Sequence, residues 1–66
     1  MNSFGKNLKD CREQSGYTQK RLGNALALTP QAISKWETGV SLPDLITLAK
    51  ISHILNVSAD ALLNGC

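Results

Sequence analysis

Helix punctuation recurs along this chain at intervals too short for anything but small helices. Four caps precede apolar-periodic stretches: Thr18, Thr29 followed by Pro30, the pair Pro43-Asp44, and Ser58. Their side-chain oxygens can accept from the unpaired N–H groups of a first helical turn. A proline in that turn gives up no hydrogen bond, because its N–H would have had no partner. Stops answer the starts at Gly16, Gly39, Asn56 and Gly65, residues that tolerate the left-handed backbone closing a helix. Strict apolar/polar alternation is missing throughout, so strands are not expected.

Apolar spacing then predicts five helices with short connections. Phe4, Leu8 and Cys11 mark a first helix over about Ser3–Ser15. Leu22, Ala25 and Leu26 share one face of a second, behind Thr18. The third starts at Thr29-Pro30, turns Ile33 and Trp36 inward and stops at Gly39. The fourth carries Leu45, Leu48, Ile51, Ser52 and Leu55 along one stripe, and the fifth runs from Ser58 through Leu63. The 66 residues have room for one all-α domain, residues 1–66, and none for a deep substrate cavity. A chain that is 42% hydrophobic and 18% charged is globular. No apolar run approaches the roughly 18 residues of a membrane span. The start, Met1-Asn2-Ser3-Phe4, lacks the pattern of a secretion signal, so a cytoplasmic location is expected.

Cys11 and Cys66 could pair in principle. Cys11 lies on the apolar period and Cys66 is the last residue, so both are expected to stay reduced in the cytosol. One histidine and no Cys-x-x-Cys leave no metal site or cofactor to expect.

Charge is unevenly spread. Residues 1–42 hold six basic side chains (Lys6, Lys9, Arg12, Lys20, Arg21, Lys35) against three acidic ones (Asp10, Glu13, Glu37). Residues 43–66 hold Lys50 against Asp44 and Asp60. A polyanion should therefore meet the first part.

The second and third helices, within about residues 18–37, are the informative unit. Leu22, Leu26, Leu28, Ile33 and Trp36 fall where two crossed helices bury a shared seam, and Gly23 sits where the two come closest. The outward face of the third helix is left with Thr29, Pro30, Gln31, Ser34 and Lys35. These groups suit base edges: glutamine pairs with adenine, lysine donates to guanine, and apolar carbons touch a thymine methyl. No acid interrupts that face before Glu37.

Four segments together resemble the lambda repressor/Cro-type helix-turn-helix family, also called the xenobiotic-response-element family of regulators. They are Tyr17-Thr18-Gln19, the run from Thr29 to Gly39, Pro43-Asp44-Leu45, and the run from Leu55 to Leu63. The likeness extends from about Phe4 to Leu63. It implies a compact five-helix lambda-repressor-like fold that binds double-stranded DNA, the two halves of a near-palindromic operator being read by a homodimer. By the same resemblance Gln31, Ser34 and Lys35 face bases, with Thr29 and Pro30 at the groove edge. Gln19 bonds a phosphate and braces Gln31, with Thr18 and Lys20 beside it. Thr38, Gly39 and Ser41 bond phosphate through hydroxyls and backbone N–H groups. Arg12 and Glu37 match a pair joining the first helix to the third, and Asn56, Val57, Ser58 and Ala59 match a dimer contact. A bacterial or phage-encoded, nucleoid-associated repressor is implied, in which a further C-terminal domain or protein partner can follow. In one place the chain departs from the pattern: Ala27 stands where the family usually has glycine or asparagine, and a left-handed alanine costs roughly 1 kcal/mol.

Blander assignments stand beside these. Gln31 and Lys35 also fit an ordinary solvated face. Arg12 could reach phosphate, although pairing with Glu37 is favoured. Trp36 fits the core better than base stacking, and Tyr17 fits either a core edge or a phosphate contact. Lys6 and Lys9 either attract DNA or keep the first helix soluble. His53 is expected to be solvated. Ile46, Ala49 and Ile54 either cover the core edge or meet a partner. The alternative function is a protein-interaction module of the same fold, antitoxin-like or bridging other regulators. An enzyme is not expected, because His53 has no evident partner and Cys11 points inward.

Overall fold

The computed structural model describes residues 4–66. Five helices follow one another: α1 (Phe4–Gln14), α2 (Gln19–Ala25), α3 (Pro30–Glu37), α4 (Leu45–Leu55) and α5 (Ala59–Asn64), with no strand among the described residues. Each cap closes its helix. The Thr18 hydroxyl accepts from the Arg21 N–H at 3.0 Å, Thr29 from Ala32 at 3.3 Å, and Ser58 from Ala61 at 3.0 Å. An Asp44 carboxylate oxygen accepts from the Thr47 N–H at 2.7 Å, a bond that holds this carboxyl below its ordinary pKa. Asn56 closes α4 in the left-handed conformation, φ 55°, and the Val57 N–H then reaches the Ser52 carbonyl at 3.0 Å. The first helix stops at Gln14. Ser15 lies in the turn beyond it and donates its hydroxyl to the Leu55 carbonyl, and Ser3 falls outside the described residues.

Leu8, Cys11, Leu22, Ile33, Trp36, Ile51, Leu55 and Leu62 are buried together, so every helix contributes to one core. Each fully buried aliphatic side chain there is worth about 1.5–3 kcal/mol. α1 packs against both α3 and α5, and α2 lies chiefly on α3. Two glycines permit the closest approaches. A Cβ on Gly23 would stand 3.0 Å from the Leu28 carbonyl oxygen, and one on Gly5 would stand 2.7 Å from that of Trp36. Gly23 was expected to have this role from its place between α2 and α3. Nothing in the local sequence marks Gly5 for the same role.

Several side chains stand elsewhere than their spacing suggests. Leu45 extends the α4 stripe by one turn but is 80% exposed, because the helix meets the core only from Leu48 onward. Ala25 is exposed and Leu26 only half-buried. The choice left open at α4 divides: Ile54 packs on the core, whereas Ile46 and Ala49 face outward. Asn7 is buried, with its Nδ2 lacking a hydrogen-bond partner.

The cysteines require a correction. Cys11 and Cys66 are joined as a disulfide, Cα to Cα 5.4 Å, instead of standing free. α5 runs beside α1, and Gly65 then takes φ 123°. That angle is open to glycine and turns the last residue back toward the first helix. A linear reading of two residues at opposite ends of the chain contains no trace of that return.

Ala27 adopts φ 58°, so the turn between α2 and α3 keeps a left-handed residue despite the side chain. Ala27→Gly is expected to stabilise the domain by about 0.5–1 kcal/mol, the relieved strain slightly exceeding the added freedom of the unfolded chain. Urea denaturation followed by circular dichroism reads this directly, and a destabilised variant would contradict it.

Candidate nucleic-acid interface

α3 divides cleanly into two faces. Ile33 and Trp36 point into the core, while Gln31 and Lys35 stand exposed, flanked by half-buried Ser34. At its start Thr29 is exposed and Pro30 half-buried. A side chain at 31 and one at 35 lie one turn apart on the same stripe. The face they form is polar, cationic and free of acids.

A buried ion pair anchors the other end of α3. Arg12 Nε donates to Glu37 Oε2 at 2.6 Å and Nη2 to Oε1 at 3.3 Å, with the two side chains 9% and 5% exposed. The remaining Arg12 nitrogen, Nη1, donates to the Tyr17 carbonyl at 2.8 Å. Gln19 Nε2 donates to Glu37 Oε1 at 3.0 Å. One carboxylate thus ties the last turn of α1, the start of α2 and the end of α3. Between residues 18 and 41 Glu37 is the sole acid, and its charge is compensated by the buried Arg12 guanidinium.

The start of α2 sits beside this clamp. Thr18 and Lys20 are exposed, and Gln19 is half-buried, its amide turned to Glu37. Arg21 lies over the Tyr17 ring, 4.3 Å from the centroid, while that ring packs against the core. Tyr17 therefore belongs to the core edge. The one trace of this stacking in the sequence is the spacing of Tyr17 and Arg21, four apart across a helix start.

The loop after α3 is mostly satisfied internally. The Thr38 hydroxyl donates to the Ser34 carbonyl at 2.9 Å, as does its N–H. The Gly39 N–H bonds the Trp36 carbonyl at 3.3 Å, and the Val40 and Ser41 N–H groups both meet the Lys35 carbonyl, at 2.9 and 3.3 Å. Any contact from Thr38 or from these backbone groups to phosphate would have to share or displace those bonds. The Ser41 side chain is exposed. Of the expected dimer residues, Asn56, Ser58 and Ala59 are exposed, while Val57 packs partly on the core. His53 is exposed and lies with Lys50 along a shallow groove between the α2–α3 turn and α4.

Two short helices crossed through a short turn, the second with a polar face outward, define a helix-turn-helix DNA-binding fold. The chain belongs to the helix-turn-helix family of lambda repressor/Cro type, whose model matches residues 8–62. It is 50% identical over 62 residues to YonR, an SPbeta prophage-derived HTH-type transcriptional regulator of Bacillus subtilis (strain 168), covering 94% of this chain and 57% of that protein. The P22 c2 repressor, solved in complex with a synthetic operator, superposes with a TM-score of 0.87 at 29% identity over 100% of both chains. SinR, a master regulator of biofilm formation solved with DNA, gives 0.82 at 27% identity, covering 92% of this chain and 98% of that one. The chain spans about half the length of the curated relatives it matches, 57%, 53% and 48% for three of them. No helix among the described residues is long and apolar enough to cross a membrane.

Removing one partner of a buried ion pair strands the other, at a cost of about 3–5 kcal/mol, whereas replacing both by apolar groups is often neutral. Arg12→Met is therefore expected to melt far below the parent domain, and Arg12→Met combined with Glu37→Met to recover most of the loss. Thermal melts of the three proteins check this. An unchanged melting temperature for Arg12→Met alone would show that the pair is mere decoration.

Proposed function

We propose that this domain reads a specific duplex-DNA site as one half of a symmetric dimer, with α3 in the major groove, and that it represses transcription. The observation carrying this reading is the acid-free outer face of α3, with Gln31 and Lys35 exposed on a helix fixed at its far end by Arg12 and Glu37. Gln31 and Lys35 take the base edges, with Ser34, Thr29 and Pro30 at their margins. Thr18, Gln19, Lys20 and Ser41 hold the flanking phosphates, joined by Thr38 and Gly39 as their internal bonds are exchanged. The reading is supported by the likeness to the P22 c2 repressor, a protein solved on its operator. Two copies would place their recognition helices in successive major grooves, about 34 Å apart. The dimer contact is assigned to the turn at Asn56, Val57, Ser58 and Ala59, and the working location to the bacterial cytoplasm, on the nucleoid. A further C-terminal domain or partner would complete the regulator.

A second reading, an interaction module bridging other proteins, is favoured by one feature. Val40, Leu42, Leu45, Ile46 and Leu63 are each more than half exposed, and a protein partner could cover them.

The two readings part at Gln31. On a duplex enriched by selection, Gln31→Ala is expected to weaken binding by about 1–3 kcal/mol and to relax preference at one base position. Fluorescence anisotropy against single-base variants of the duplex measures both. A loss of equal size on every sequence would remove Gln31 from base reading and leave the interaction module in front.

A further inference from the structure

We infer that Glu37, which does not itself face the DNA side, is the positioning residue for Gln19, so that a carboxylate buried in the fold orients a phosphate-binding amide. The inference rests on the function proposed above. A carboxylate can only accept hydrogen bonds, so the Gln19 side chain must present its nitrogen, not its oxygen, to Glu37. The Nε2-to-Oε1 distance of 3.0 Å fits that single orientation. An amide nitrogen carries two hydrogens. Glu37 takes one, and the other remains to be donated to a phosphate oxygen, another group that only accepts.

Glu37 can serve this purpose because it is itself immobile. Arg12 grips both of its oxygens, and its side chain is 5% exposed. Gln19 is half-buried at the head of α2, where it would otherwise sample several rotamers and both amide orientations. Held by Glu37, it meets the DNA already ordered, and the entropy of fixing a long side chain is not charged to binding. Lys20, next along the helix, is exposed and supplies charge with no comparable anchor. The order of control runs from Arg12 on α1, through Glu37 on α3, to Gln19 on α2. Gln19, the residue expected to brace Gln31, is thus itself held by Glu37.

A double-mutant cycle tests this, using a short mixed-sequence DNA duplex at low salt, since a phosphate contact does not depend on sequence. Gln19→Ala is introduced into the parent chain and into the Arg12→Met, Glu37→Met background, with circular dichroism verifying that each protein is folded. About tenfold weaker binding is expected in the parent, as for a charge-assisted hydrogen bond. Less than twofold is expected in the background lacking Glu37, where Gln19 has lost its guide. Equal losses in both backgrounds would overturn the inference while leaving DNA binding intact. Absence of duplex binding by the parent chain would overturn the function itself, and the inference with it. Solvent exchange of the Gln19 side-chain amide gives a reading that needs no DNA. In the free parent protein one of its two hydrogens should be protected, and uniformly fast exchange of both would refute the positioning role.

Discussion

The geometry of this domain depends on one buried ion pair. Arg12 and Glu37 come from different helices and are nearly inaccessible to water, so both gave up hydration on folding. Their attraction offsets that cost only because the geometry is good and the spare hydrogen-bonding groups are used. Arg12 donates to both carboxylate oxygens and to the Tyr17 carbonyl, and Glu37 accepts also from Gln19. An apolar pair could fill the same volume. It could not specify which point on α1 meets the end of α3, nor fix the approach to α2. The pair's value therefore lies in register more than in stability.

That register is what a recognition helix needs. α3 is eight residues long and cannot hold its own direction. Its start is set by the Thr29 cap and by Gly23, which lets the preceding helix lie against the turn without a clashing Cβ. Its end is set by Glu37 and by Gly5, over which its last carbonyls rest. Between these fixed ends Ile33 and Trp36 fill the core, and Gln31 and Lys35 have no freedom to face anywhere but outward. The strain accepted at Ala27 belongs to the same design. Its left-handed turn is imposed by tertiary packing on a residue that would not choose it, and a small fraction of the stability gained by the core suffices to hold it.

What could be read from the sequence, and what could not, follows from how far each interaction reaches along the chain. Thr18, Thr29, Asp44 and Ser58 were legible as helix starts because a cap bonds an N–H only three residues away. Asn56 was legible as a stop for the same local reason, and the alternate faces of α3 followed from helical periodicity. Leu45 was misplaced because periodicity identifies a stripe but not where the neighbouring helix stops covering it. The junction of Cys11 with Cys66 and the burial of Asn7 depend on α5 returning along α1, which no local pattern encodes. Within the interface, the family likeness supplied residue identities. It did not supply the internal bonds of the loop after α3, nor the turning of Gln19 toward Glu37, which only the folded geometry contains.

A fixed, sequence-reading face on α3, as proposed, differs from a merely basic one in holding a preference among bases. Selection of bound fragments from a random duplex-DNA library, performed at two salt concentrations, tests it most directly. Phosphate contacts weaken steeply as salt rises, whereas the preference among bases persists. A two-fold symmetric consensus that survives the higher salt is the expected result. Binding that yields no consensus and vanishes as salt is raised would contradict it, leaving a positively charged fold without a code to read.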